Sequence, residues 1–196
     1  MSEFIEILGV IIGFIYLWLE YKASIYLWIT SIIMPAIYLF VYFDAGLYAD
    51  VAINIYYLII GVYGWLSWKY GVSRKYGTKK YELKISHTSR QQWLQLLIAY
   101  IVIHLAISFT LIYFTDTDVP WFNGLTSSLS IVGMWMLAKK LIEQWIVWFV
   151  VDILSVALYF YKGLEPTALL YLVYAIVAIL GYKKWNKLLQ KQYATE

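Results

Sequence analysis

The chain has 196 residues, of which 63% are hydrophobic and only 14% charged. A soluble domain averages about 25% charged residues, so a water-soluble globule cannot hide this much apolar surface and the composition is that of a membrane protein. The absence of cysteine excludes disulfides and cysteine-held metals, and the net charge of +3 acquires meaning only when resolved loop by loop.

Stretches long enough to cross a ~30 Å hydrocarbon core recur along the chain. Span 1 covers about Phe4 to Trp18 and is interrupted by Glu6. The acidic start, Met1-Ser2-Glu3, lacks the positive n-region of a cleaved signal peptide. Span 2 covers Ser24 to Tyr42 and contains Pro35, which is expected to kink it or free a carbonyl. Span 3 covers Ala49 to Trp68, span 4 Gln92 to Phe114, and span 5 Trp121 to Ala138 after Pro120. Span 6 covers Gln144 to Tyr161 and span 7 covers Pro166 to Tyr182. The 10 Trp and 20 Tyr fit interfacial belts, and they equally fit the lining of a cavity.

Seven spans place 14 of the 15 Lys and Arg on one side of the membrane, leaving only Lys162 on the other. The positive-inside rule makes the basic side cytoplasmic. The N-terminus is then outside and the C-terminus in the cytoplasm. The basic loop from Tyr70 to Arg90 reads as a topogenic segment beside anionic headgroups, not as a nucleic-acid site.

The chain also repeats itself. At an offset of 117 residues Lys22 falls on Lys139, Trp28 on Trp145, Tyr42 on Tyr159, Tyr57 on Tyr174, Gly64 on Gly181 and Trp68 on Trp185. Glu6 falls on Asn123. Spans 1–3 and 5–7 are therefore two copies of one three-helix unit, and span 4 links them. Three helices plus a linker make an even step, so the repeats are parallel, related by an axis along the membrane normal. The expected organisation is residues 1–69 as the first repeat, 70–118 as basic loop and linker helix, and 119–196 as second repeat and tail. Transporters built from such repeats hold substrate near the midplane.

Polar residues inside spans are costly and are candidates for function. Trp145, Trp148 and Asp152 share one helical face at i, i+3 and i+7, a pattern suited to an organic cation through cation–π contact and charge. Trp145 also reads as an interfacial anchor, and Asp152 as the partner of another helix. Asp50, Asn54 and Tyr57 share a face of span 3 at i, i+4 and i+7, and Asn54 both donates and accepts, as a heterocycle edge requires. Asp50 reads equally well as a headgroup-region cap. Asn123 near the start of span 5 completes the set, whereas His104 reads as a hydrogen-bonded packing residue. No phosphate-cradling glycine loop, cysteine nucleophile or metal-spaced histidine pair is visible, so the residues support no enzyme and call for no cofactor.

Several stretches together carry a resemblance: Leu47-Tyr48-Ala49-Asp50, Tyr63-Gly64-Trp65 with Trp68, Lys140 with Glu143 and Trp145, then Trp148, Tyr159, Lys162-Gly163, Gly181 and Trp185. Over about residues 4–185 the chain resembles the PnuC family of bacterial vitamin transporters. The resemblance implies an all-α integral membrane fold of seven transmembrane helices arranged three plus one plus three, a homotrimer in the inner membrane, and facilitated diffusion of an unphosphorylated vitamin that a cytoplasmic kinase then traps. Nicotinamide riboside carriers of the family tend to have Gln, Asn and Asp where Asn54, Asp152 and Asn123 stand here. Trp18-Leu-Glu20-Tyr-Lys22-Ala-Ser24 and Met34-Pro35-Ala36 resemble the thiamine branch. The expected substrate is therefore thiamine, whose thiazolium is a permanent cation, with nicotinamide riboside or riboflavin as the alternative.

Overall fold

The computed structural model describes residues 2–44, 48–71 and 83–194. Among these residues it contains seven helices: α1 (Ser2–Tyr21), α2 (Leu27–Asp44), α3 (Tyr48–Tyr70), α4 (Arg90–Phe114), α5 (Pro120–Ala138), α6 (Gln144–Tyr161) and α7 (Glu165–Ala194). Four of them, α3, α4, α6 and α7, are long and apolar enough over their described residues to cross a membrane. All seven expected spans are helices. Most of the basic loop, residues 72–82, lies outside the described residues.

The boundaries differ from the hydropathy reading in instructive ways. Helix α7 continues well past Tyr182, because Trp185 and Leu189, one turn apart, are both buried. Packing extends the helix through a basic segment that hydropathy reads as tail. Helix α1 runs through Glu6 without a break. Pro35 lies within a continuous α2. Its missing N–H leaves the Ser31 carbonyl without its helical donor. Gly61 of α3 packs closely against this turn, where an added Cβ would lie 3.0 Å from Ile32 and 3.6 Å from the Ser31 oxygen.

The chain forms two compact units. One gathers α1–α3 with Ala138–Lys140 and the end of α7; the other gathers α4–α6 with most of α7. The first unit is centred on Trp28, wholly buried, whose ring meets Trp68 edge-on at 5.6 Å and 85°. The second holds Trp145 against Trp185 at 5.8 Å and 85°. These pairs are the ones that the offset of 117 relates. Each Trp also lies where a Cβ on the facing glycine would stand: Gly64 faces Trp28, and at Gly181 the added carbon would be 2.7 Å from the Trp145 ring. A small core of Leu96, Val132, Met136, Leu141 and Val147 joins α4, α5 and α6 within the second unit.

The duplication extends to the turns. Ser24 N–H donates to the Leu19 carbonyl (2.9 Å) and Leu141 N–H to the Met136 carbonyl (3.0 Å), which are equivalent bonds at the ends of α1 and α5. Each closes over a residue in the left-handed region, Ala23 (φ 51°) and Lys140 (φ 57°). This is the Schellman closure of a helix C-terminus, here without the usual glycine, so both copies store some backbone strain. Lys140 compensates with its side chain, which donates to the Leu83 carbonyl (2.9 Å) and lies over the Trp68 ring.

A clamp precedes α4. The Ile142 N–H donates to the Ser86 carbonyl (3.0 Å). The Glu143 carboxylate accepts from the Thr88 N–H (2.8 Å), the Thr88 hydroxyl (2.7 Å) and His87 Nδ1 (2.7 Å). The next residue, Ser89, opens α4 with a reciprocal capping box to Gln92. Burial raises the Glu143 pKa, but the bonds from Thr88 and His87 outweigh it and hold it below the ordinary 4.5.

Gly64→Ala and Gly181→Ala each drive a methyl into an indole, an overpacking that costs about 1–3 kcal/mol. Each should lower the melting temperature in detergent, whereas Gly163→Ala meets no neighbouring atom and perturbs only a positive-φ turn. For Glu143 the folded-state pKa is depressed. The clamp's contribution is therefore complete above the unfolded value of 4.5 and lost as pH falls through the lower folded value. A melting profile from pH 7 to 3 should show this loss in the native chain, and Glu143→Gln should flatten that part of the curve.

Candidate functional site

Asp152 sits midway along α6 and is 6% exposed, with Ser155 one turn on equally buried. Among the described residues no Lys or Arg pairs with it. Tyr171 and Tyr174 of α7 both lie within electrostatic reach of its carboxylate. Tyr171 stacks on Tyr159 (5.2 Å, 21°), and Tyr174 meets Tyr171 edge-on at 5.6 Å. The second unit thus contains a carboxylate near two phenols, with the ring of a third stacked on one of them. Trp148, one turn from Asp152, packs against Gly133 of α5, whose absent side chain leaves room for the indole. The Trp148 Nε1 is buried with no hydrogen-bond partner among the described residues.

Trp145 has a different environment from Trp148, although the two share a face. It is 2% exposed and fills the joint with Gly181 and Trp185, as Trp28 does in the first unit. Its structural part is to seat α7 against α6.

In the first unit Asn54 is buried on α3, and Tyr57 packs beside Tyr56 at 5.6 Å. Tyr16 and Glu20 of α1 join them, since Tyr16 lies within electrostatic reach of both Glu20 and Tyr57. The Asp50 side chain lies outside the described residues. Asn123 is half-buried, and its Nδ2 donates to the Thr117 hydroxyl (2.8 Å), tying the start of α5 to the segment before it. His104 contacts Ser108 of its own helix (3.4 Å) and stacks on Tyr100 with Trp121 beside it, so its partners are local.

Residue-by-residue reading of the spans missed Tyr171, Tyr174, Tyr16 and Glu20. The repeat offset points to the first two, because 117 residues beyond Asn54 and Tyr57 stand Tyr171 and Tyr174. No comparable signal marks Glu20, which looks like the polar end of a span and is in fact buried. Among the described residues no group of three His, Asp or Glu side chains is placed to hold a metal ion.

The nicotinamide mononucleotide transporter family model matches residues 3–187. The nicotinamide riboside transporter PnuC of Neisseria mucosa is 25% identical over 87% of this chain and 67% of its own length. The protein of the same name from Escherichia coli is 22% identical, covering 93% and 85%. The riboflavin/roseoflavin transporter RibM of Streptomyces davaonensis is 23% identical, covering 92% and 83%. A crystal structure of the vitamin B3 transporter PnuC superposes with a TM-score of 0.67 at 24% identity, covering 92% of this chain and 79% of that one, and shares its fold.

Proposed function

Because this chain belongs to the nicotinamide mononucleotide transporter family, we propose that it carries a small unphosphorylated vitamin with a cationic aromatic ring across the inner membrane by facilitated diffusion. Nicotinamide riboside is the first candidate, on the names of the relatives. The observation that carries the reading is the placement of Asp152. A carboxylate buried in a membrane helix needs a counter-charge, and here Tyr171 and Tyr174 lie within electrostatic reach of it and Trp148 stands one turn away. Trp148 supplies a stacking face for a cationic ring, Asp152 its counter-charge, and Tyr171 and Tyr174 hydroxyls for its polar edge. Asn123 belongs to the same unit, and Trp145 supports Trp148 from the helix joint; Asp50, Asn54 and Tyr57 are the first unit's own candidates for ligand contact.

Thiamine is the second reading, and one residue favours it. A carboxylate at position 152, where the resemblance leads one to expect an amide, suits a thiazolium whose charge is permanent. Riboflavin, the substrate in the name of one relative, is neutral and leaves Asp152 without a counter-charge. Phosphorylated vitamins are repelled, because spans 1–6 bring no Lys or Arg into the membrane interior to offset Asp152. Cytoplasmic phosphorylation would trap the cargo. An outside N-terminus, a cytoplasmic C-terminus and a homotrimer in the lipid bilayer belong to the same reading.

Intrinsic Trp fluorescence of the purified protein tests this, with nicotinamide riboside, thiamine, riboflavin and thiamine pyrophosphate side by side. One monocation should quench and the pyrophosphate should not. Asp152→Asn should weaken binding at least tenfold for thiamine and less for nicotinamide riboside. Equal binding of the pyrophosphate, or a variant that binds like the native chain, would remove the charge role.

A further inference from the structure

The α6 face that bears Asp152 begins at the first residue of the helix. Gln144, Trp148, Asp152, Ser155 and Tyr159 follow one another at steps of four, four, three and four residues. At about 100° per residue all five fall within an arc of roughly 80°. The face is polar along the whole helix. Its first member, Gln144, is 0% exposed, and neither its Nε2 nor its Oε1 has a hydrogen-bond partner among the described residues. One turn on, the Trp148 Nε1 is unpartnered as well.

Packing does not require a carboxamide there. The repeat mate of Gln144 is Leu27, which is also 0% exposed in a turn with the same backbone bonds, Leu27 N–H to the Ser24 carbonyl and Gln144 N–H to the Leu141 carbonyl, both 3.2 Å. The same frame therefore accepts leucine. The remaining mates on α2 are Ser31, Pro35, Tyr38 and Tyr42, so the polar track of α6 has no equivalent carboxylate or carboxamide in the first repeat. A buried carboxamide without partners costs stability that leucine would not, and a polar group buried at such a cost at the mouth of a polar helix face is a functional candidate.

We propose that Gln144 is a ligand-contacting residue that receives the vitamin's paired donor and acceptor, a carboxamide or an aminopyrimidine edge, as the ring moves along α6 away from Asp152. A glutamine amide presents one acceptor and two donors side by side, which complements either edge. In the orientation set by the basic loops, Gln144 stands at the cytoplasmic end of the track. It therefore acts after binding at Asp152 and before release. This inference rests on the proposed function, since it needs a vitamin on the α6 face.

The test is Gln144→Leu in the full-length chain, with Gln144→Met as the near-isosteric second variant. Three quantities are read: melting temperature, fluorescence affinity for nicotinamide riboside and thiamine, and initial uptake rate of the bound vitamin into proteoliposomes. The expected result is a melting temperature equal to or above the native value, an affinity within threefold of native, and an uptake rate at least tenfold lower. Native-like uptake by either variant would overturn the proposal. So would a fall in melting temperature for both variants, which would make Gln144 a packing residue. If the native chain binds neither vitamin, the proposed function fails and this inference with it; native binding with unaffected uptake in the variants removes Gln144 alone.

Discussion

Everything else in the fold is arranged around an indole laid on a glycine. Trp28 on Gly64 and Trp145 on Gly181 bring α2 to α3 and α6 to α7 closer than any side chain on the glycine would permit. In lipid there is no hydrophobic drive to associate apolar helices, so close van der Waals packing at small residues has to supply the adhesion. A Trp ring gives the largest contact area that one residue offers, and a second Trp closes its edge in each unit at nearly the same distance and angle. Because the joint is complete within three helices, the unit could be duplicated with its turn, its strained cap and its backbone bonds intact.

The duplicated frame carries unequal chemistry. In the first repeat one face of α2 holds Leu27, Ser31 and Pro35; in the second the same positions hold Gln144, Trp148 and Asp152. Unit one instead places its polar groups on α1 and α3, at Tyr16, Glu20, Asn54 and Tyr57. Packing is thus symmetric at the Trp–Gly joints and asymmetric along the polar face of α6. The Glu143 clamp adds to this division by pinning the segment before α4 to the start of α6, the helix that bears the polar track.

Seven spans and the repeat were legible because both rest on coarse signals, apolar runs of membrane length and large or tiny residues at one offset. Asp152 and Asn54 were legible because a polar side chain within an apolar run stands out. Trp145 and Trp148 were not separable by spacing, since a helical face says nothing about which neighbour fills it: Trp145 lies against Gly181 and Trp148 against Gly133. Helix α7 ran past its hydropathic end because Trp185 and Leu189 find buried places that no local pattern reveals. Glu20 and Gln144 stand at helix ends, where exposure is the ordinary expectation, and tertiary packing buries them both.

A monocationic vitamin carried by facilitated diffusion would have only its own concentration gradient and the membrane potential to drive it. Uptake of labelled nicotinamide riboside and thiamine into proteoliposomes under a potassium diffusion potential measures this most directly. An inside-negative potential of 100 mV contributes about 2.3 kcal/mol per charge, or roughly 50-fold accumulation. The account predicts accumulation of one of the two vitamins that approaches this ratio, collapses when the potential is dissipated, and needs no proton or sodium gradient. Accumulation that persists at zero potential and follows an ion gradient, or no uptake of either vitamin, would contradict it.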